Sequence, residues 1–496
     1  MQIVLRGEAA GYEAEHTARI FFPAAELTQV APQQGDFIEA VGDDSALTVF
    51  VLVRLGGRLA WRTAPATGVK GADGTDCTRE YALCQALYGV LCQVTGQRPP
   101  WGMMTGVRPV RIIHDLRAEG ASEDAIKRHF LQHFACTPQR YQIARGIADV
   151  QRPVLQSAAP MDCSVYAGIP FCPTRCSYCS FVSRTVGDKN TRALVEPYVD
   201  CLCRELTDTC QVAQNCGLAI KSFYIGGGTP TSLSADQLRR LLGHIAKTFD
   251  LAALQEYTVE AGRPDCTDEE KLRIIKEYGA TRISINPQTF SDEVLRAIGR
   301  RHSAQDILDC YRTARAVGHQ NINMDLIAGL PGDTVEGFRR SLQQAIALEP
   351  ENITVHTLTL KRASNLVVEH RAAAYDDVAA MLDQCGLLAA AGYYPYYLYR
   401  QKGTLQNLEN IGWCKPGYEC LYNIYIMEEV HTILSAGAGG STKLVAPGVR
   451  HGRIERIFNY KYPNEYIERF DNVLARKKGV NEFYARYKDN QAPGNL

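Results

Sequence analysis

The chain has 496 residues, 46% of them hydrophobic, and 54 Lys and Arg balance 54 Asp and Glu. That length suits two or three domains with sizeable cores, and the balanced charge argues against a general nucleic-acid or anionic-membrane surface. The N-terminus, MQIVLRGEAAGYEAEH, lacks an apolar stretch of signal-peptide length, and no run approaches the ~18 apolar residues of a membrane helix. The expectation is therefore a cytoplasmic protein without a membrane span, whose 17 cysteines are reduced and mostly serve as small buried apolar side chains.

Residues 1–64 hold short β-rich runs: ARIFF (18–22), TVFVLV (48–53) and RLAWR (58–62). ATGVKGADGTD (66–76) reads as a loop or linker. Leu83, Leu87, Leu91 and Val94 recur at helical spacing over 78–94, and Gly96 with Pro99–Pro100 stops that helix. WGMMTGVRP (101–109) is a loop that either lines a ligand site or packs against the next domain, and a further helical stretch covers 121–150. Residues 1–155 thus read as an N-terminal α+β accessory domain without a catalytic motif.

From residue 164 the rhythm changes. Apolar runs recur at SVYAGIPF (164–171), KSFYIGGG (221–228), EYTVEAG (256–262), TRISINP (281–287), INMDLIAGL (322–330) and NITVHTL (352–358), with amphipathic stretches between them. Alternating strand and helix predicts βαβ units and a parallel sheet. Right-handed crossovers curl six such units into an α/β fold, a partial (β/α)6 TIM-like barrel over 160–370, with the chemistry at the carboxyl ends of the strands. A helix (375–391), an aromatic stretch (391–403) and a tail with the Gly-rich SAGAGGST (435–442) and a basic helical end form a C-terminal covering region, 371–496. Cys201, Cys203, Cys210 and Cys216 fall in a predicted helix and its exit, at spacings that do not put all four on one face.

YAGIPFCPTRCSYCSF (166–181) carries Cys172, Cys176 and Cys179 on one loop after the first strand. Structural zinc normally takes four Cys or His ligands, and no fourth lies close by. CxxxCxxC spacing in a reducing compartment suggests a [4Fe–4S] cluster with one iron left open, which can bind a ligand's amine and carboxylate. Three structural or zinc-binding cysteines are the competing reading. GGGTP (226–230) ends the second strand, where glycines let a ligand approach the backbone closely. Glu260, Gln288, Arg300 and Asp325 follow at or beyond the third, fourth and fifth strands, and together can pair with an amine, a carboxylate and ribose hydroxyls.

The CxxxCxxC loop and the GGGTP turn resemble the radical S-adenosylmethionine (SAM) superfamily. More narrowly, YAGIPFCPTRCSYC, YIGGGTPTSL, VEAGRPD, RISINPQTF, IGRRH (298–302) and MDLIAGLPGDT resemble the oxygen-independent coproporphyrinogen III oxidase family over roughly 160–445. ENITVHTLTLKRAS, NLENIGW and KYPNEYIERF, with the accessory N-terminal region, resemble its HemZ-type branch, described as coproporphyrinogen dehydrogenases. The resemblance implies a [4Fe–4S] cluster on Cys172, Cys176 and Cys179. It also implies one or two SAM molecules lined by Tyr166, Tyr178, Gly227, Gly228, Thr229, Glu260, Gln288, Arg300 and Asp325, and no catalytic group beyond the cluster and the SAM radical. It further implies a tetrapyrrole substrate and a flavodoxin- or ferredoxin-type reductant. For substrate binding the expectation adds Arg300, Arg301, Lys361 and Arg362 as cations, and Tyr393, Tyr394, Tyr396, Tyr397 and Tyr399 as a flat apolar wall.

Three positions depart from the family. Phe181 stands where the oxidase branch has a fourth cysteine, and Gly168 stands where the family usually has His. Gln406 stands at the His of the HNxxYW segment found in a heme-chaperone branch. The implied activities are thus oxidative decarboxylation of coproporphyrinogen III to protoporphyrinogen IX without oxygen, or, alternatively, heme trafficking or radical chemistry on another tetrapyrrole.

Overall fold

The computed structural model describes residues 1–7, 9–32, 34–42, 48–66, 78–181, 183–361, 364, 366, 376–448 and 452–488. Residues 67–76 of the expected 66–76 linker, residue 375 and Arg362 lie outside these. The chain divides into two compact units: Met1–Asp149 with Leu398–Glu409, and Val150–Tyr397 with Asn410–Leu496.

The first unit holds β1 (Gln2–Arg6), β2 (Glu26–Thr28), β3 (Phe37–Val41), β4 (Thr48–Leu55) and β5 (Arg58–Pro65), in the order β2-β1-β3-β4-β5. Helix α2 (Arg79–Thr95) starts at Thr78, whose side chain accepts from Tyr81 N, and ends at left-handed Gly96. Leu83, Leu87 and Leu91 of α2 join Ile3, Ile38 and Val51 in the core. ARIFF is not a strand but the end of helix α1 (Tyr12–Phe21). Ala14, Thr17 and Ala18 are buried at helical spacing, Arg19 pairs with Glu15 at 2.7 Å, and Pro23 follows the end. The helical stretch expected over 121–150 consists of α4 (Glu123–Arg128), a π-helical turn (His129–His133) and α5 (Pro138–Ser157), with α3 (Pro109–Ala118) ahead of them.

The 101–109 loop packs inside its own unit. Trp101 is fully buried and needs a partner for its indole N–H; it donates to Glu409 Oε2 at 2.7 Å. Arg140 pairs with the other Glu409 oxygen at 2.8 Å, and Arg400 Nη1 donates to the carbonyls of Met104 and Gly106 at 2.7 and 3.0 Å.

The second unit is built on a sheet of order β14-β15-β13-β12-β11-β10-β9-β6-β16-β17-β18. The six expected strands are β6 (Asp162–Ile169), β9 (Ala219–Gly227), β10 (Glu256–Glu260), β11 (Arg282–Ser284), β12 (Ile322–Ala328) and β13 (Asn352–Thr357). They are parallel neighbours in chain order, an open α/β barrel. On one side β16 (Thr432–Ala436) adds in parallel to β6 and continues into β17 (Ser441–Val445) and β18 (Ile454–Phe458). On the other, β15 (Glu409–Cys414) runs antiparallel to β13, next to β14 (Tyr394–Arg400). Cys163, expected ahead of the first strand, lies inside β6 and is fully buried with Val165, Ala167 and Ile169. The crossovers are carried by helices including α6 (Lys189–Asn215), α7 (Ala235–Thr248), α8 (Glu269–Glu277), α10 (Ala304–Val317) and α11 (Val335–Ala347). Helices α7 and α10 begin with capping boxes at Ser234 and Ser303. No described helix is long and apolar enough to cross a membrane.

The aromatic stretch becomes β14. Tyr393, Tyr396 and Tyr397 are buried, and a Cβ on Gly412 would lie 2.0 Å from the Tyr397 ring. These three rings are core and offer no wall to a ligand.

Candidate active site at the carboxyl ends of the strands

After β6 and Pro170, β7 (Phe171–Cys172) pairs with β8 (Arg184–Thr185), closing the cysteine loop at its base. Val186 N donates to Cys172 O at 3.0 Å, and Cys179 N donates to Cys176 O at 3.1 Å. The glycine turn is laced to this loop: Gly228 N donates to Ile169 O and Thr229 N to Phe171 O, both at 2.7 Å. Thr229 Oγ1 stands 3.6 Å from Cys172 Sγ. A Cβ on Gly228 would come within 2.5 Å of Phe171 O and 2.9 Å of Cys172 Sγ, so the position admits only glycine. Gly227 has φ +112° and lies against the Ile169 backbone.

Three thiols on one loop suit a cluster, which spreads its thiolates over separate irons and can leave one iron without a cysteine; among the described residues no three His, Cys, Asp or Glu side chains are grouped to hold a single metal ion. Burial pushes the Cys172 thiol up and the Cys179 thiol up to about 11, so iron must displace their protons on binding. Two guanidiniums stand beside Cys176. Arg263 Nη1 donates to Cys176 Sγ at 3.4 Å. Arg300 donates to Asn286 O at 2.6 Å and to the Tyr178 hydroxyl at 3.3 Å. Burial works against the Arg300 charge, but Tyr178 and Cys176 outweigh it and keep it protonated.

The inner face of the barrel alternates with period two. Ser164 and Tyr166, Ser222 and Tyr224, Thr258 and Glu260, Ser284 and Asn286, Asn323 and Asp325, and Thr354 and His356 each stand two residues apart. The deeper residues bond to one another: Ser222 Oγ to Ser164 Oγ at 2.7 Å, and Thr354 Oγ1 to Asn323 Oδ1 at 2.9 Å. The outer ones form a polar layer in which every group but Asn286 is titratable. Tyr224 donates to Glu260 Oε1 at 2.6 Å, and Tyr166, Tyr224 and Tyr422 stack with centroids 4.7–6.3 Å apart. Burial and the Asp325 charge push Glu260 up to about 7 against the lowering hydrogen bond from Tyr224. Asp325 lies 3.7 Å from His356 and accepts from Asn323 Nδ2 at 2.8 Å. Burial raises Asp325, but the bond and charge of His356 outweigh it and hold the carboxyl low.

Gln288 joins this layer in left-handed backbone, φ +68°. Its N donates to Asp325 O at 2.8 Å, and its buried Oε1 has no hydrogen-bond partner in the structure. The sequence-predicted residues thus fall into linked groups. Cys172, Cys176, Cys179, Tyr178, Arg300, Gly227, Gly228 and Thr229 gather at the loop and turn. Tyr166, Glu260, Gln288 and Asp325 lie on the inner face or its rim. Arg301 and Lys361 are exposed. Sequence reading missed Tyr224, Arg263, His356 and Tyr422. The period-two alternation could have found Tyr224 and His356, and Arg263 lies inside the quoted VEAGRPD.

A three-thiol loop after the first strand of an open parallel barrel, bonded to a glycine turn after the second, defines a radical SAM protein, and residues 166–345 match the radical SAM superfamily. The chain is 35% identical, over 93% of its length, to the oxygen-independent coproporphyrinogen-III oxidase-like protein HemZ of Bacillus subtilis, covering 94% of that protein. It belongs to the oxygen-independent coproporphyrinogen III oxidase family of radical SAM proteins, in the HemZ-type branch. It is also 31% identical to the heme chaperone HemW of Escherichia coli, over 66% of this chain and 82% of that one. Coproporphyrinogen III oxidase (HemN) of Escherichia coli shares the fold, with a TM-score of 0.51 at 21% identity over 66% of this chain and 73% of that chain. The family's cofactors are a [4Fe–4S] cluster and SAM.

Proposed function

We propose that this chain catalyses oxidative decarboxylation of coproporphyrinogen III to protoporphyrinogen IX without oxygen. The observation that carries the reading is the thiol loop bonded to the glycine turn at the barrel mouth, in a chain that matches a coproporphyrinogen-III oxidase-like relative almost end to end. Cys172, Cys176 and Cys179 hold the cluster. Tyr166, Tyr178, Gly227, Gly228, Thr229, Glu260, Gln288, Arg300 and Asp325 line one or two SAM sites. When bound, the cluster and SAM supply a 5′-deoxyadenosyl radical by one-electron cleavage of the sulfonium.

The chain's own residues do the rest. Gly227 and Gly228 leave backbone groups open to the methionine part. The Gln288 amide, unpaired at its oxygen, and the low-pKa Asp325 carboxylate offer acceptors for amine and hydroxyl groups. Arg300 offers a cation to a carboxylate. At the substrate, a hydrogen atom passes from a propionate β-carbon to that radical, and loss of CO2 with transfer of one electron to a one-electron acceptor leaves the vinyl; this happens twice per macrocycle. The electron that starts each cycle comes from a flavodoxin- or ferredoxin-type donor. The substrate cations remain Arg301 and Lys361 at the exposed rim.

The second reading is heme trafficking, favoured by the similarity to HemW proteins. Gln406, in place of the expected His, does not supply an imidazole to heme iron. Anaerobic reconstitution with coproporphyrinogen III, SAM and reductant, followed by mass spectrometry, separates the two. Vinyl porphyrin and CO2 support the oxidase; stable stoichiometric heme without turnover supports the chaperone.

A further inference from the structure

Arg263 follows β10 and is 3% exposed. One edge of its guanidinium faces the cysteine loop: Nη1 donates to Cys176 Sγ at 3.4 Å and Nη2 to Thr174 Oγ1 at 2.9 Å. The other edge is clasped by Asp265, with Nε to Oδ1 at 2.9 Å and Nη2 to Oδ2 at 2.7 Å. Behind Asp265 stands His302, with Nδ1 3.5 Å from Oδ1 and a side chain only 1% exposed. A bidentate clasp fixes a guanidinium plane more firmly than one contact does. Here it aims Nη1, which also donates to the Thr174 carbonyl at 3.4 Å, at a thiol.

Arg300, the other guanidinium beside Cys176, is held by a carbonyl and a phenol, and no described carboxylate pairs with it. The two cations therefore differ. Both reach the Cys176 sulfur, but Arg300 keeps its whole charge, while Asp265 largely cancels that of Arg263.

We propose that Arg263, oriented by Asp265, sets the reduction potential of the cluster through its hydrogen bond to the Cys176 sulfur, and that Asp265 holds that potential down. Reduction adds one electron to the cluster and breaks no bond. The added negative charge strengthens the bond from Arg263 and the repulsion from Asp265. Removing the donor should lower the potential, and removing the carboxylate's charge should raise it. The inference rests on the cysteine loop holding the cluster and is independent of the substrate.

The test uses the full chain, reconstituted anaerobically, with iron counted for each protein. Photoreduced deazaflavin, a low-potential one-electron donor, titrates parent, Arg263→Gln and Asp265→Asn without SAM or substrate, and EPR follows the reduced cluster. Arg263→Gln should need about tenfold more reducing conditions for half-reduction, a shift of about 59 mV to lower potential. Asp265→Asn should shift the opposite way. Both variants matching the parent, or both moving in one direction as a loosened loop would, overturns the proposal. If Arg263→Gln keeps no iron, Asp265→Asn decides alone: a rise supports the proposal, and no change or a fall overturns it. A parent without iron overturns the cluster assignment underneath, and the iron count tells that outcome apart.

Discussion

The Asp325 carboxylate and the His356 imidazole face each other at 3.7 Å from the neighbouring strands β12 and β13. Burial lowers the His356 pKa, but the hydrogen bond and charge of Asp325 outweigh it, so His356 titrates above its ordinary value; Glu260 adds to the rise. Asp325 titrates below its own. The histidine's contribution is therefore full below about pH 6.5 and is lost as pH rises through its higher folded value. The aspartate's contribution is present above about pH 3.9 and is lost as pH falls through its lower folded value. His356→Gln should destabilise the protein by about 1.5–3 kcal/mol near pH 5.5, and by less at about pH 8.5. Thermal unfolding midpoints of parent and variant at the two pH values check this; an equal gap at both contradicts it.

Gln288 pays a conformational cost in left-handed backbone and buries an unpaired oxygen, a pattern expected of strain kept at a functional site. Gln288→Gly should stabilise the fold by about 1 kcal/mol and weaken SAM binding. A less stable variant, or one with unchanged SAM affinity, would remove Gln288 from the site.

At the turn, Gly228→Ala drives a methyl against Phe171 O and Cys172 Sγ. Forced overpacking of this kind costs about 1–3 kcal/mol, and iron retention should fall with it. Gly227→Val should weaken SAM binding while iron stays. Gly386→Ala, whose Cβ would meet nothing within 4 Å, serves as the control and should keep both. Full iron in Gly228→Ala would show that the loop does not depend on the turn.

The barrel was legible because strands buried on both faces leave near-continuous apolar runs, as in VYAGI and MDLIAGL. All six expected runs became strands. ARIFF misled because three apolar, β-prone side chains in a row suit either element, and the deciding signal lay upstream, in Ala14 and Thr17. The cysteine loop announced itself by spacing. The partner of Asp325 did not, since His356 lies 31 positions away and meets it only through strand order. The tyrosine run was misread for a different reason: a ring packed in the core and a ring facing a ligand look alike in one dimension, and only Gly412 beneath Tyr397 shows which it is.

That three thiols and no fourth hold the cluster is tested most directly by EPR of the reduced protein with and without SAM, alongside iron counts for the cysteine variants. The parent should hold about four irons and four sulfides per chain, and SAM should shift its signal. Cys172→Ala, Cys176→Ala and Cys179→Ala should each lose the cluster, while Cys163→Ala, buried within β6, should keep it. A signal that SAM leaves unmoved, or a cluster that survives Cys172→Ala and vanishes in Cys163→Ala, would contradict the assignment.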